Sequence, residues 1–440
     1  MARGRAGRHP AGCGRRRPRP PGPDRQPRAP ASVVRMSGTS QTGAPRVAIA
    51  VIGLGGISQS VHLPLIRRNR DLVELTAVVD LSAARAAEFA REAGVGVQGF
   101  SSLDALLAAR DAGDVRVDGA VLATSGSHAG DVGRLLDAGI RVLAEKPLAF
   151  SLGEIEELEA SAARRGADLA AELRVGYMKE YDPATRAAAD LLAGVELRAV
   201  TVEVLHPADG AQLAFARLAP PPTDIPGDVA SELADRTAAI VERAIGAAPD
   251  PLPRLYTNVV LGSVIHDIAL LRRLVGGIGT VERAQQWGGF PGSLSLGGRL
   301  AAYAEVPWSI DWHFIPDYPE YRETVTFHHA TGTVSLRFAV PYVLNAPTVL
   351  TVAERVEPLG SRRSETEWMQ EEAFEHELRS FAALVAGHPG VPGSASSAAE
   401  AADDLRVGQR MLRRLADSMG APIAAESEAA TDRESPPTHP

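Results

Sequence analysis

The chain has 440 residues, 45% of them hydrophobic and 23% charged, which is enough to bury large cores and favours two domains. Its formal charge of -8 hides an asymmetry: residues 1–35 carry ten arginines against the single acid Asp24, leaving about -17 for the rest. No apolar run reaches the roughly 18–20 residues of a membrane span, and the lone Cys13 excludes both a disulfide framework and a thiolate metal site. A protein of the cytoplasm, with no membrane and no nucleic-acid partner, is expected.

Residues 1–45 form an Arg/Pro-rich tail that cannot bury an apolar face and reads as disordered. An upstream extension before Met36 explains it better than a nucleic-acid arm does, and no apolar segment follows the arginines as an export signal would require. The folded part opens at Val47 with an apolar run to Ile52, as in a strand buried on both faces of a parallel sheet. It runs directly into Gly53-Leu54-Gly55-Gly56-Ile57-Ser58. In this G-x-G-x-x-S pattern Gly53 permits a tight turn, Gly55 lets backbone approach a pyrophosphate, and Gly56, Ile57 and small Ser58 open the helix whose N–H groups face the phosphates.

A second strand, Glu74 to Val79, ends in Asp80, placed to accept both ribose hydroxyls and to repel a 2′-phosphate. NAD is therefore expected over NADP, with Arg85 keeping NADP open. The alternation continues through a helix at Ser82 to Ala93, a strand at Gly119 to Ala123, a helix near His128 to Ala138 and a strand at Arg141 to Ala144. Thr124, Ser125 and His128 leave one strand at the carboxyl edge and Glu145, Lys146 and Pro147 leave the next, so both loops fall beside a bound dinucleotide. Only two of the 46 basic residues are lysines, Lys146 and Lys179. A lysine amine, unlike a guanidinium, can be tuned until it trades protons near neutrality, so Lys146 is the candidate acid/base.

Asp182-Pro183 reads as an N-cap and first helical residue, opening a helix to about Leu192. Strands follow at 195–205, 279–286, 296–305, 308–315, 321–328, 333–340 and 348–354, which argues for a large, mostly antiparallel sheet with one face covered. Between the first two, Pro220 to Pro253 encloses a helix-like Val229 to Ile245 and reads as an inserted lid or dimer element within residues 207–254. Gly262 to Leu271 reads as the start of an amphipathic helix bearing His266 and Asp267. Trp308, Trp312 and Tyr318 are read as core more readily than as a sugar platform. His328 and His329 are adjacent on a strand and face opposite ways, so no metal site is expected.

With these motifs in place the sequence resembles the Gfo/Idh/MocA oxidoreductases, which include glucose-fructose oxidoreductase and inositol dehydrogenases. The resemblance rests on Gly53 to Ser58, His62-Leu63-Pro64, His128 and Glu145-Lys146-Pro147, and is tightest over Val47 to Arg174. It implies an α/β Rossmann domain over 46–174, then an α+β domain over 175–420 whose open-faced sheet carries substrate specificity and builds a homodimer or homotetramer. Residues 421–440 are left as a tail. It further implies hydride transfer between NAD and a secondary alcohol or ketone of a sugar, cyclitol or sugar nucleotide, with Lys146 and His266 as the catalytic pair and Tyr256, Asp267 and Lys179 as helpers. The family's aspartate four residues before the histidine is Gly262 here, and its acid three residues after is Ala269, so the usual proton relay is altered. Two alternatives stay open: an enzyme that oxidises transiently and returns the hydride after an epimerisation or elimination, and a dinucleotide-binding regulatory protein without chemistry, which the missing aspartate at Gly262 favours.

Overall fold

The structure, a computed structural model, describes residues 46–388 and 396–427; the expected tail at 1–45 lies outside them. The first sheet holds β1 (Val47–Ile52), β2 (Val73–Val79), β3 (Gln98–Phe100), β4 (Gly119–Leu122), β5 (Arg141–Glu145) and β6 (Leu173–Gly176) in the order β3-β2-β1-β4-β5-β6, every pair parallel. The order reverses between β1 and β4, the switch point at which a doubly wound sheet binds ligands. Both β1 and β4 are buried throughout, as continuous apolar runs should be. The predicted α/β Rossmann fold is therefore present.

The second sheet contains β7 (Leu197–His206), β8 (Ile278–Trp287), β9 (Ser293–Leu300), β10 (Pro307–Phe314), β11 (Arg322–His329), β12 (Gly332–Phe338), β13 (Val349–Val356) and β14 (Gly360–Thr366). Their order is β14-β13-β12-β11-β7-β10-β9-β8, antiparallel except for the central pair β7 and β10. The mostly antiparallel sheet expected from the alternation is thus found, with two differences. Residues 301–305 are a turn rather than strand, and β14 escapes the pattern because its Gly-Ser-Arg-Arg-Ser-Glu-Thr sequence is exposed at every position. One face packs Val200, Val202, Val204, Val325 and Phe327 into the core. The other presents Thr201, Glu203, Asp311, Arg322 and Thr324, so the sheet is open-faced.

The Rossmann half does not close its own core. Helix Ala373–Val385 lies against the first sheet, putting Phe374, Leu378, Phe381 and Val385 in one cluster with Ile49, Val51, Val121 and Leu143. Gly119 makes room for it, since a Cβ there would stand 2.8 Å from Val385 Cγ2 and 3.0 Å from Phe381 Cζ. Order also extends past residue 420. Glu426 accepts hydrogen bonds from Ser151 Oγ (2.8 Å) and Leu152 N (2.7 Å) at the start of helix Leu152–Arg165, so its carboxylate compensates the free N–H groups there.

Candidate active site

The glycine turn has the form a dinucleotide requires. Gly53 adopts φ +89°, and a Cβ on it would collide with the Ala123 carbonyl oxygen at 2.6 Å, so only glycine fits between β1 and β4. A Cβ at Gly55 would meet nothing within 4 Å, which leaves the turn's outer side open for a diphosphate. Ser58 is fully buried and donates to Gly53 O at 2.5 Å, tying the turn to the π-helical start Ser58–His62. Asp80 sits at the end of β2, its Oδ2 accepting from Leu54 N (3.0 Å) and its Oδ1 from Ser82 N (2.9 Å). The remaining lone pairs of that carboxylate are available to ribose hydroxyls. These residues fit an NAD(P) cofactor.

The two strand-end loops are braced from beneath. His128 is 2% exposed, and its ring nitrogens lie 2.8 Å from Pro147 O and 2.9 Å from Thr124 O. It stitches the loops together instead of facing the groove, which leaves half-buried Thr124 and exposed Ser125 as the groups offered to a ligand. Glu145 is likewise spent internally: His62 Nε2 lies 2.8 Å from its Oε1. Burial pushes the Glu145 carboxyl up, but the bond to His62, with the charges of His62 and Lys146, carries it below its ordinary value.

Lys146 follows at the end of β5, and its ammonium donates to the backbone carbonyl of Gly262. Burial lowers its pKa to about 8; Glu145 opposes the shift and the charge of Lys179 adds to it. The segment beneath it is π-helical from Leu255 to Val264 and α-helical from Ile265 to Val275. His266 therefore lies inside a continuous helical run and not at a helix start. Its Nδ1 is buried without a partner among the described residues, and its ring lies edge-on to Tyr177 at 6.5 Å. Burial, then the charges of Lys146 and Lys179, hold the imidazole well below its usual pKa, hence neutral. Lys146, His266, Lys179 and Asp267 thus lie within electrostatic reach of one another.

Lys179 is not an exposed loop charge. It is 6% exposed, donates to both oxygens of Glu323 (2.5 Å to Oε2), lies 3.9 Å from Asp267 Oδ1 and stands over the Phe338 ring. Tyr321 donates to Glu323 Oε2 at 2.6 Å. Burial and the neighbouring Glu323 charge push the Asp267 carboxyl well above its ordinary value, whereas Lys179, Tyr321 and Asp267 carry Glu323 below its own despite its burial. Glu323 and Tyr321 were not among the sequence candidates. The signal was present: Glu323 occupies the buried phase of β11, in register with Val325 and Phe327. Tyr256 joins none of this. It is fully buried and its hydroxyl donates to Phe150 O at 2.7 Å, a packing role. Trp308 and Trp312 are core residues, Trp312 donating to Ser263 Oγ at 2.9 Å behind the helix of His266.

Residues 47–173 match the model of the oxidoreductase family with an NAD-binding Rossmann fold, GFO_IDH_MocA. Inositol 2-dehydrogenase 3 of Saccharopolyspora erythraea is 34% identical over 148 residues, 33% of this chain and 40% of the relative, so the chain matches about two fifths of that protein's length. Among solved structures, KijD10, a 3-ketoreductase from Actinomadura kijaniata in complex with NADP, superposes with a TM-score of 0.57 at 19% identity, covering 85% of this chain and 97% of that one. The WlbA dehydrogenase from Bordetella pertussis, in complex with NADH and UDP-GlcNAcA, gives 0.56 at 17% identity, covering 85% and 98%. At that identity the structural likeness is one of fold alone, and it runs through both sheets. On its glycine turn, its Glu-Lys-Pro loop and the family match over residues 47–173, the Rossmann part of the chain is similar to the Gfo/Idh/MocA oxidoreductases.

Proposed function

We propose that the protein catalyses NAD-dependent hydride transfer between a nicotinamide and the secondary alcohol or ketone of a sugar, cyclitol or sugar nucleotide, in the cytoplasm. The carrying observation is Lys146, a buried amine lowered to about 8 and placed beside a neutral histidine at the carboxyl edge of the dinucleotide sheet. The substrate class is supported by relatives named for inositol and by a fold neighbour holding a nucleotide sugar.

When bound, the nicotinamide supplies the hydride acceptor or donor. The chain supplies proton transfer and positioning. In alcohol oxidation the neutral amine of Lys146 takes the hydroxyl proton at Nζ; in ketone reduction its ammonium returns that proton to the carbonyl oxygen. His266, neutral and with an Nδ1 that is unpaired among the described residues, holds the same oxygen by a hydrogen bond. Where the family resemblance implies an aspartate, this chain presents the Gly262 carbonyl to Lys146. A dipole positions the amine as a carboxylate would, but supports its positive charge far less. The substitution therefore helps keep the amine near neutrality. The proposal includes a homodimer or homotetramer built on the outward face of the second sheet, testable by light scattering.

The test is nicotinamide absorbance after mixing protein and NAD with cyclitols, hexoses and nucleotide sugars, with Lys146→Met as control. Reduction by one class, lost in the variant, is the expected result. Cofactor binding without reduction by any class would overturn net redox turnover.

A further inference from the structure

The segment between β7 and the helix of His266 lies on the glycine turn. A Cβ built at Gly56 would stand 3.5 Å from Leu218 Cδ1 and 3.9 Å from Leu213 Cδ1, so two leucines of the insertion cover that side of the turn. Ala219 N donates to Gln59 Oε1 at 2.8 Å, and Gln59 Nε2 donates to Leu54 O at 2.7 Å, fastening the segment to the first turn of the Rossmann helix. Arg217, at φ 46°, bends the segment between the leucines.

From there the insertion reaches the end of β2. Arg85 Nη2 donates to Pro220 O at 2.6 Å, and Ala84 N donates to Asp224 Oδ2 at 3.0 Å. Hydrogen bonds from Ser82 and Ala84 hold the Asp224 carboxyl below its ordinary value, so it is ionised. Ser82 also caps helix Ala83–Ala93 and bonds through its N–H to Asp80, the predicted ribose ligand. A 2′-phosphate on that ribose would seek two partners here, the free N–H groups of the helix start and an arginine. The insertion occupies both: a carboxylate takes the Ala84 amide and a carbonyl takes Arg85. It also adds a negative charge beside Asp80.

We propose that the insertion makes the dinucleotide site selective against a 2′-phosphate, with Asp224 as the specificity-determining residue. The proposal rests on the NAD(P) reading above and resolves the ambiguity left by Arg85: the guanidinium is present but already engaged.

The experiment is fluorescence titration of the full-length protein with NADH and with NADPH, for wild type, Asp224→Ala, Asp224→Asn and Arg85→Ala/Asp224→Ala. The wild type should bind NADH the more tightly. Asp224→Ala should tighten NADPH about tenfold while NADH changes less than about threefold, because a charge repulsion is removed and an amide is freed. Asp224→Asn, which keeps the hydrogen bond to Ala84, should give a smaller gain and serves if the alanine variant folds poorly. Adding Arg85→Ala should leave most of that gain in place, since Pro220 O still engages the guanidinium when Asp224 is removed. An unchanged NADPH/NADH ratio in both Asp224 variants, or a wild type that prefers NADPH, overturns the proposal. If neither nucleotide binds any variant, the NAD(P) reading itself fails and this inference falls with it.

Discussion

The two lysines of the chain come from opposite halves of the molecule and reach the same site, yet their surroundings treat them in opposite ways. Lys146, from the Rossmann half, meets a neutral carbonyl at Gly262, while its nearest carboxylate, Glu145, is turned to His62. Its charge is left undersupported and its pKa falls to about 8. Lys179, from the junction with the second half, is clasped by both oxygens of Glu323 and lies near Asp267. Burial lets the first lysine part with its proton near pH 8, and the charge of the second helps it do so. Burial alone does not tune a lysine; the distribution of its counter-charge decides whether the amine is reactive or structural.

The largest expected effect comes from erasing the reactive member. Lys146→Met should lower turnover about 10³-fold, the range of a lost general acid/base, while the NADH dissociation constant stays within about threefold. Steady-state kinetics and fluorescence titration check this. If Lys179→Met lost as much turnover at unchanged stability, the division of roles would be broken.

The structural lysine should show its role in stability. Glu323→Gln leaves a buried ammonium without its counter-ion and should cost about 3 kcal/mol in urea unfolding. Lys179→Met in the same chain should restore at least half of that, because the pair is then removed together. Additive losses in the double variant would mean that Glu323 supports the fold through Tyr321 instead.

A smaller effect has a definite sign. The native Lys146 amine binds protons less readily than the unfolded one, between about 8 and the ordinary 10.5, so its burial opposes folding most strongly below pH 8. Lys146→Met should therefore raise unfolding stability by about 1–2 kcal/mol at pH 7, with the gain fading as pH climbs toward 10.5. In the wild type, kcat/KM for alcohol oxidation should climb with pH and level above about 8. The smallest effect is the coupling between the lysines: Lys179→Met should move that pH midpoint upward by less than about one unit, since a repelling charge is gone. A downward shift would contradict the assigned sign.

Much of this arrangement was legible in the sequence because it is local. The glycine turn, Asp80 and the Glu-Lys-Pro loop each sit within a few residues of a strand end, where the parallel fold dictates direction. Asp182 and Pro183 likewise opened a helix where their chemistry said they should, the Asp182 Oδ1 accepting from Ala184 N at 2.7 Å. What escaped reading depends on pairing across long separations. Glu323 meets Lys179 across 144 residues, and Asp224 meets Ala84 across 140, so neither partner could be inferred from spacing. His128 and Tyr256 show the converse. Their residue types suit a binding site, but the fold spends their polar atoms on backbone carbonyls. Strand β14 was invisible because an exposed edge needs no apolar alternation.

Helix Ala373–Val385 has a consequence for how the chain comes into being. The first sheet is finished early in synthesis, yet the apolar residues that cover one of its faces emerge some 200 residues after β6. Until they arrive, Ile49, Val51 and Val121 present a greasy surface to the cell, the condition under which nascent chains aggregate or recruit chaperones. A fragment ending at residue 174 would carry the same exposed face permanently. The dinucleotide half is first in order along the chain and among the last regions to be completed, so its folding is governed from the far end of the molecule.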